Sequence, residues 1–323
     1  MESNLANKRT ILELDPNGAC WVVRPGKSYE YYEHFLSGNF VAIGHLDEYL
    51  DEKFLIEKLN FEKKANIYYK NRANEGDSKN KISANINQVR RFLFEMKVGD
   101  LIFTIGENRI ISGVITSDAY IDEVDYALED VYKTDETMKK NKEMPYKIRR
   151  SVQWGKSHSR DEIPLAVKKS FKANQAVFSA SEHLKSIYHW LNAVFIIDGV
   201  VYSSAKINQT EDIHHYSVTQ FADALNKIEA LSTLIEDLYI DGEIKNITLT
   251  MVENKLKDLA LGDSLKLTTQ QLFMSPGDYW TGFGSEKRVA ILAFTIGVCS
   301  LFNIEPVFAN ENDETWQKIF DRV

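Results

Sequence analysis

Cysteine is nearly missing: the 323 residues hold two, Cys20 and Cys299. Two thiols so far apart in sequence cannot staple a fold, and a reduced, cytoplasmic protein is the plain reading. The opening segment Met1–Arg9 is polar, so a secretory signal is not expected. Long hydrophobic runs are missing as well. The longest uncharged apolar stretch, Val289–Ile304, has sixteen residues, whereas crossing a bilayer takes about 20. It is expected to be a core helix, and a membrane is not expected as a partner.

The short signatures of catalysis and cofactor binding are also lacking. There is no Gly-x-x-x-x-Gly-Lys-Ser/Thr loop to cradle phosphates, no Cys-x-x-Cys, no His-x-x-x-His and no Gly-x-Ser-x-Gly. His214 and His215 are adjacent but have no third metal ligand in sequence reach. The nearest approach to a nuclease tripeptide is Glu243-Ile244-Lys245, with Asp237 and Asp241 upstream. Those acids precede Glu243 too closely for separate strands to bring them onto one metal. Glu243 and Lys245 therefore stand as weak catalytic candidates, and no cofactor or metal is expected.

What is present is a globular composition, 44% hydrophobic and 27% charged, long enough for two domains. The net charge of −8 is unevenly spread: Met1–Val200 holds 29 basic and 29 acidic residues, and the remainder 10 against 18. Two blocks of the neutral part are basic, Lys63–Lys97 with nine cations and three acids, and Lys133–Lys172 with twelve and five. Between them Asp118–Asp130 carries six acids and no cation. Basic blocks can build a local anion-binding face on an acidic protein, or they can be solvated helix faces.

Apolar patterning predicts strands at Cys20–Arg24, Phe40–Gly44, Leu101–Ile105, Ile110–Thr116 and Ile148–Trp154. Helices are expected at Tyr29–Ser37, Asn85–Met96 (with Ser83 as N-cap), Ser181–Asn192, Phe221–Tyr239 and Val289–Leu301. Asn71–Lys81 reads as a surface loop, Ile244–Met251 and Ser264–Phe273 as strands, and Ser275-Pro276-Gly277-Asp278 as a helix start.

The order of pieces in Cys20–Phe178 resembles the EVE/YTH branch of the PUA-like superfamily, in the version fused to bacterial restriction and phage-defence proteins. The matching residues are Trp21-Val22-Val23, Gly38-x-Phe40-x-Ala42-Ile43-Gly44, Asn87-Gln88, Phe92-x-x-x-Met96-Lys97-x-Gly99-Asp100-Leu101 and Gly113-Val114-Ile115. They continue with Arg149-Arg150-x-Val152-x-Trp154 and Ser159-Arg160-x-Glu162-Ile163-Pro164. The resemblance implies an α+β protein: a PUA-like twisted β-barrel with surrounding helices over residues 1–192, then a smaller α+β domain over 193–323. It also implies a sensor in an anti-phage or restriction system that takes a flipped, modified base of DNA or RNA into an aromatic pocket. Flipping costs a few kcal/mol, which stacking and hydrogen bonds to the base edge offset.

On that resemblance Trp21 and Trp154 are candidate pocket walls, and Asn85 and Asn87 candidate contacts to the base. Arg149, Arg150, Lys156 and Arg160 are candidate phosphate contacts. His45 stands where relatives commonly carry Trp after Ile-Gly, in a stretch bordering the pocket, and its smaller, titratable ring implies an altered site. Each has a plainer alternative: a tryptophan in an apolar strand is often core, Asn87 a cap, and Arg149-Arg150 a solvated strand edge. The second domain is expected to pass the event on, by self-association or by recruiting an effector through Phe221–Tyr239 or Val289–Phe302. The rival readings are a divergent metal-dependent nuclease and an effector that self-assembles or acts at membranes.

Overall fold

The computed structural model describes residues 7–49, 55, 57–128, 143–168, 171, 175–207, 213–239, 246–272 and 277–308. The chain is mixed α+β, and its contacts divide it into Gly18–Ser186 and a second unit made of Met1–Asn17 with Ile187–Val323. The division falls inside a helix, Leu184–Leu191, a few residues before the boundary expected at 192. The first strand, β1 (Asn7–Glu13), belongs with the second unit and not with the 1–192 domain the sequence suggested.

Gly18–Ser186 is built on a curled half-barrel sheet. In chain order its strands are β2 (Cys20–Val23), β3 (Phe40–Ile43), β4 (Leu101–Ile105), β5 (Arg109–Ile115), β6 (Tyr120–Ile121), β7 (Ile148–Ser159) and β8 (Val177–Ser179). They lie in the order β3-β7-β5-β4-β2-β8, with β6 also on β7. β2 runs parallel to β4, and the other pairs are antiparallel. The apolar runs that predicted strands fill one core with Val23, Phe40, Val41, Ile102, Ile115 and Ile148. The register of β5 on β7 shifts between Ile111 and Gly113, and a Cβ at Gly113 would lie 2.6 Å from Val152 and 2.8 Å from Trp154. The close approach of β7 requires glycine there.

Two helices, α1 (Lys58–Asn74) and α2 (Lys79–Arg90), replace most of the expected loop Asn71–Lys81. The first was missed because its buried stripe is narrow: Phe61, Ala65 and Tyr68, spaced i, i+4, i+7, in an otherwise charged segment. The second starts earlier than expected, capped by Ser78, whose side chain accepts the Lys81 N–H, and not by Ser83. It continues into a wider turn, Arg91–Glu95, before β4.

The second unit holds a six-stranded sheet. Its strands are β1, β9 (Val194–Ile197), β10 (Val200–Ile207), β11 (Thr268–Leu272), β12 (Gly277–Gly284) and β13 (Ile304–Phe308), in the order β11-β12-β10-β9-β1-β13. β1 is parallel to both neighbours. Helices α3 (His215–Leu238), α4 (Leu249–Leu261) and α5 (Arg288–Leu301) accompany it. The apolar run Val289–Ile304 supplies α5, buried without interruption from Val289 to Cys299, with Phe294 stacked on Phe283 at 4.4 Å. Among the described residues no helix is long and apolar enough to cross a membrane. Gly277-Asp278 begins β12 rather than a helix, and Leu249–Met251 opens α4 rather than ending a strand, because Thr248 caps it through the Met251 N–H.

Candidate functional site

Immediately after β3 the chain turns through Gly44, His45, Leu46 and Asp47 to form one wall of a cavity of about 290 Å³. Tyr68 and Arg72 of α1 form the opposite wall. A Cβ at Gly44 would lie 2.2 Å from the Tyr146 ring, so only glycine lets that ring close the turn from behind. Tyr68 packs edge-on against Tyr49 at 5.8 Å and accepts a hydrogen bond from the Asn85 amide at 3.1 Å. Tyr49 in turn accepts one from Asn71 at 2.9 Å. His45 and Asn85, two of the expected ligand residues, thus meet around Tyr68.

Asp47 was not anticipated. One carboxylate oxygen accepts the Lys147 N–H at 3.4 Å, while Oδ1 is buried with no partner among the described residues. Burial pushes its carboxyl up to about 7, against the opposing pull of the Lys147 N–H and the Lys147 and Arg149 charges. Burial also lowers His45, helped by the charge of Lys81. Near neutral pH the histidine is therefore an uncharged ring, and the carboxyl is poised between acid and anion. The His45–Asp47 side of the pocket suits an uncharged polar edge better than a free anion.

Lys63 and Lys70 of α1 and Lys79 and Lys81 of α2 are exposed, so the first basic block lies on the two helices that supply Tyr68, Arg72 and Asn85, although Lys63 and Lys70 stand on the face of α1 turned away from Tyr68. Arg72 and Lys81 both pair with Asp77, at 2.5 and 2.7 Å, which fixes the helix junction beside the cavity.

The other expected residues are elsewhere. Trp21 is 5% exposed and its indole N–H donates to Asp100 at 2.8 Å, so it is a core residue tying β2 to the turn before β4. Trp154 packs against the same core with its N–H on the Phe35 carbonyl at 3.0 Å. Neither lines the cavity at His45. Asn87 is exposed and accepts from Arg90.

Arg149 and Arg150 are not a solvated edge, and they do not present themselves to phosphate. Arg149 spends Nε, Nη1 and Nη2 on the Tyr146 carbonyl, Asp122 and the Val124 carbonyl. Arg150, 1% exposed, spends its three on the carbonyls of Phe92, Ser117 and Leu93. The acidic segment Asp118–Asp130 has a structural use in part, because Asp122 neutralises Arg149.

Lys156 is exposed on β7. Arg160, just past the far end of that strand, borders a second cavity of about 420 Å³. Glu243 and Lys245 lie outside the described residues, and the nearby Asp237 pairs with Lys255 at 2.7 Å. Among the described residues no group of three or more metal-ligating side chains occurs. The two cysteines are buried, and burial raises both thiols well above their ordinary value.

Gly18–Ser186 thus combines a curled half-barrel sheet with a cavity walled in part by α1, and the second unit is a mixed sheet with its own helices. Residues 21–179, just under half of the chain, match a domain of unknown function (DUF8426). The match starts and stops on Trp21 and Ser179, partners across the β2–β8 edge, so it spans the half-barrel and leaves out the second unit. No curated protein and no solved structure matches the chain.

Proposed function

We propose that Gly18–Ser186 is a PUA-like nucleic-acid-binding module that receives a flipped base in the cavity between His45, Asp47 and Tyr68. The observation that supports this is the position of His45. The resemblance to EVE/YTH domains expects a pocket in the stretch at the residue following Ile43-Gly44, and the cavity opens there, with Arg72 in its lining and the charge of Lys81 acting on His45. In this reading the cations at the start of α2 hold the sugar-phosphate backbone, and the aromatic pair Tyr49–Tyr68 backs the base. His45 and Asp47 meet its edge. A modified base adds a small group that such a pocket rewards by about 1–3 kcal/mol. The second unit, following the same resemblance, relays binding within a defence system through self-association or a partner.

The test is salt-dependent binding of plain and methylated oligonucleotides to the full chain. Binding should weaken steeply with salt, and Asp47→Asn and Tyr68→Ala should each reduce the preference for the modified oligonucleotide. Failure of both oligonucleotides to bind at low salt disproves the reading.

A further inference from the structure

We propose that the cavity of about 420 Å³ beside Arg160 is a second binding site, for a small nucleotide carrying a single phosphate. It is not part of the base pocket. Asp47 accepts from Lys147, one residue before β7 begins, whereas Ser159 and Arg160 stand at its other end. Twelve strand residues separate the two by roughly 35 Å along the strand.

Arg160 differs from the other two arginines carried by this strand and its end. Arg149 and Arg150 use all three guanidinium nitrogens internally, whereas every side-chain hydrogen bond of Arg160 among the described residues comes from Nη1. That nitrogen donates to the Tyr29 hydroxyl at 3.3 Å and to the carbonyls of Gly106 and Glu107 at 3.4 and 3.0 Å. Nε and Nη2 carry no hydrogen bond among the described residues, so the group is anchored on one side and open on the side that binds oxyanions in pairs. Its anchor is held at a backbone cost: Ser28 and Tyr29 are both left-handed, with φ of 53° and 62°. Burial disfavours ionising the Tyr29 phenol, but the hydrogen bonds and charges of Arg160 and Arg24 outweigh it and hold the phenol below its ordinary value.

The rest of the lining suits one class of ligand. Lys168 is a second cation with no carboxylate partner among the described residues, and Ile105, Ile163 and Phe171 form a buried apolar floor. A phosphate on Arg160 and Lys168 would place a flat base over that floor. Glu107 and Asp161 on the rim would repel a long polyanion but accept hydrogen bonds from sugar hydroxyls. The balance of two cations and two acids favours a mononucleotide over a nucleic-acid backbone.

Calorimetric titration of the full chain with adenosine monophosphate, inorganic phosphate and a single-stranded oligonucleotide tests the proposal. Adenosine monophosphate should bind one to one, and phosphate at least tenfold more weakly because it lacks the apolar body. Arg160→Gln and Lys168→Ala should each cost about tenfold or more in affinity, Tyr29→Phe about threefold, and Asp47→Asn nothing. Lys168 is exposed, so its variant keeps the test valid if Arg160→Gln fails to fold. The proposal falls if adenosine monophosphate gives no heat at millimolar concentration, if both cation variants bind it like the parent, or if only the oligonucleotide binds. The base pocket is judged separately, because Asp47→Asn should alter oligonucleotide binding alone.

Discussion

Asp47 couples the stability of the first unit to pH. An aspartate raised from 3.8 to about 7 keeps its proton in the folded state while the unfolded chain has already lost it. Its contribution is fully present below about pH 4 and is lost as pH rises through about 7. The groups that act on it are Lys147, Arg149 and Glu123. We expect urea denaturation to show the parent losing on the order of 1–3 kcal/mol between pH 5 and pH 8 relative to Asp47→Asn, which cannot ionise. An equal pH dependence in both proteins would remove Asp47 from the account. The thiols give a second check at this scale. Cys20 and Cys299 should not react with a thiol reagent until the protein unfolds, and rapid labelling of either in the native state would contradict their burial.

These residues show how unevenly the site was legible. The substitution at His45 could be seen against the resemblance, but nothing local marks Asp47: an acid after an apolar strand is usually solvated. Its role comes from the Tyr146 ring and the Lys147 N–H, which lie 99 and 100 residues further along the chain.

Among the elements, β7 is the organiser. It pairs with β3, β5 and β6, and its two buried arginines tie the sheet to the segments beside it. Arg150 takes the free carbonyls at the end of the wider turn Arg91–Glu95, a position where a helix terminus would otherwise be buried without partners. Its guanidinium also lies 5.8 Å from the Phe92 ring centroid. Arg150→Ala leaves three carbonyls unsatisfied and should destabilise the unit by roughly 3 kcal/mol or more, read by chemical denaturation. Arg150→Lys, with one charged nitrogen in place of a planar fork, should recover only part of that. In the other unit, the buried Glu229 of α3 accepts the N–H groups of Lys266 and Leu267 just before β11. Glu229→Ala should cost about 1–3 kcal/mol by orphaning them.

The whole molecule is organised around a chain that leaves and returns. β1 (Asn7–Glu13) lies between β9 and β13, so a strand near the start of the sequence completes a sheet whose other strands begin at Val194. Removing Met1–Asn17 should abolish cooperative melting of the second unit while a fragment 18–186 still melts as one transition, followed by circular dichroism. A fragment 187–323 that unfolds cooperatively by itself would refute this division.

Apolar runs alone determined strands β2 to β5 and the buried helix α5. Those features depend on local pattern, since a continuous apolar run of strand or helix length must be buried wherever it falls. The tertiary structure alone decided which basic residues are available to a ligand. Arg149, Arg150 and Arg160 look alike in sequence, yet the first two are consumed by carbonyls and a carboxylate, all but the Tyr146 carbonyl tens of residues away, and the third keeps Nε and Nη2 open. Partners of a charge are chosen by the folded backbone, and neighbours in sequence carry little information about them. The same holds for cysteine, the scarcity that marked this chain at first sight. The composition predicted that the two thiols would not be linked, and the fold adds that each is sealed in the core of a different unit.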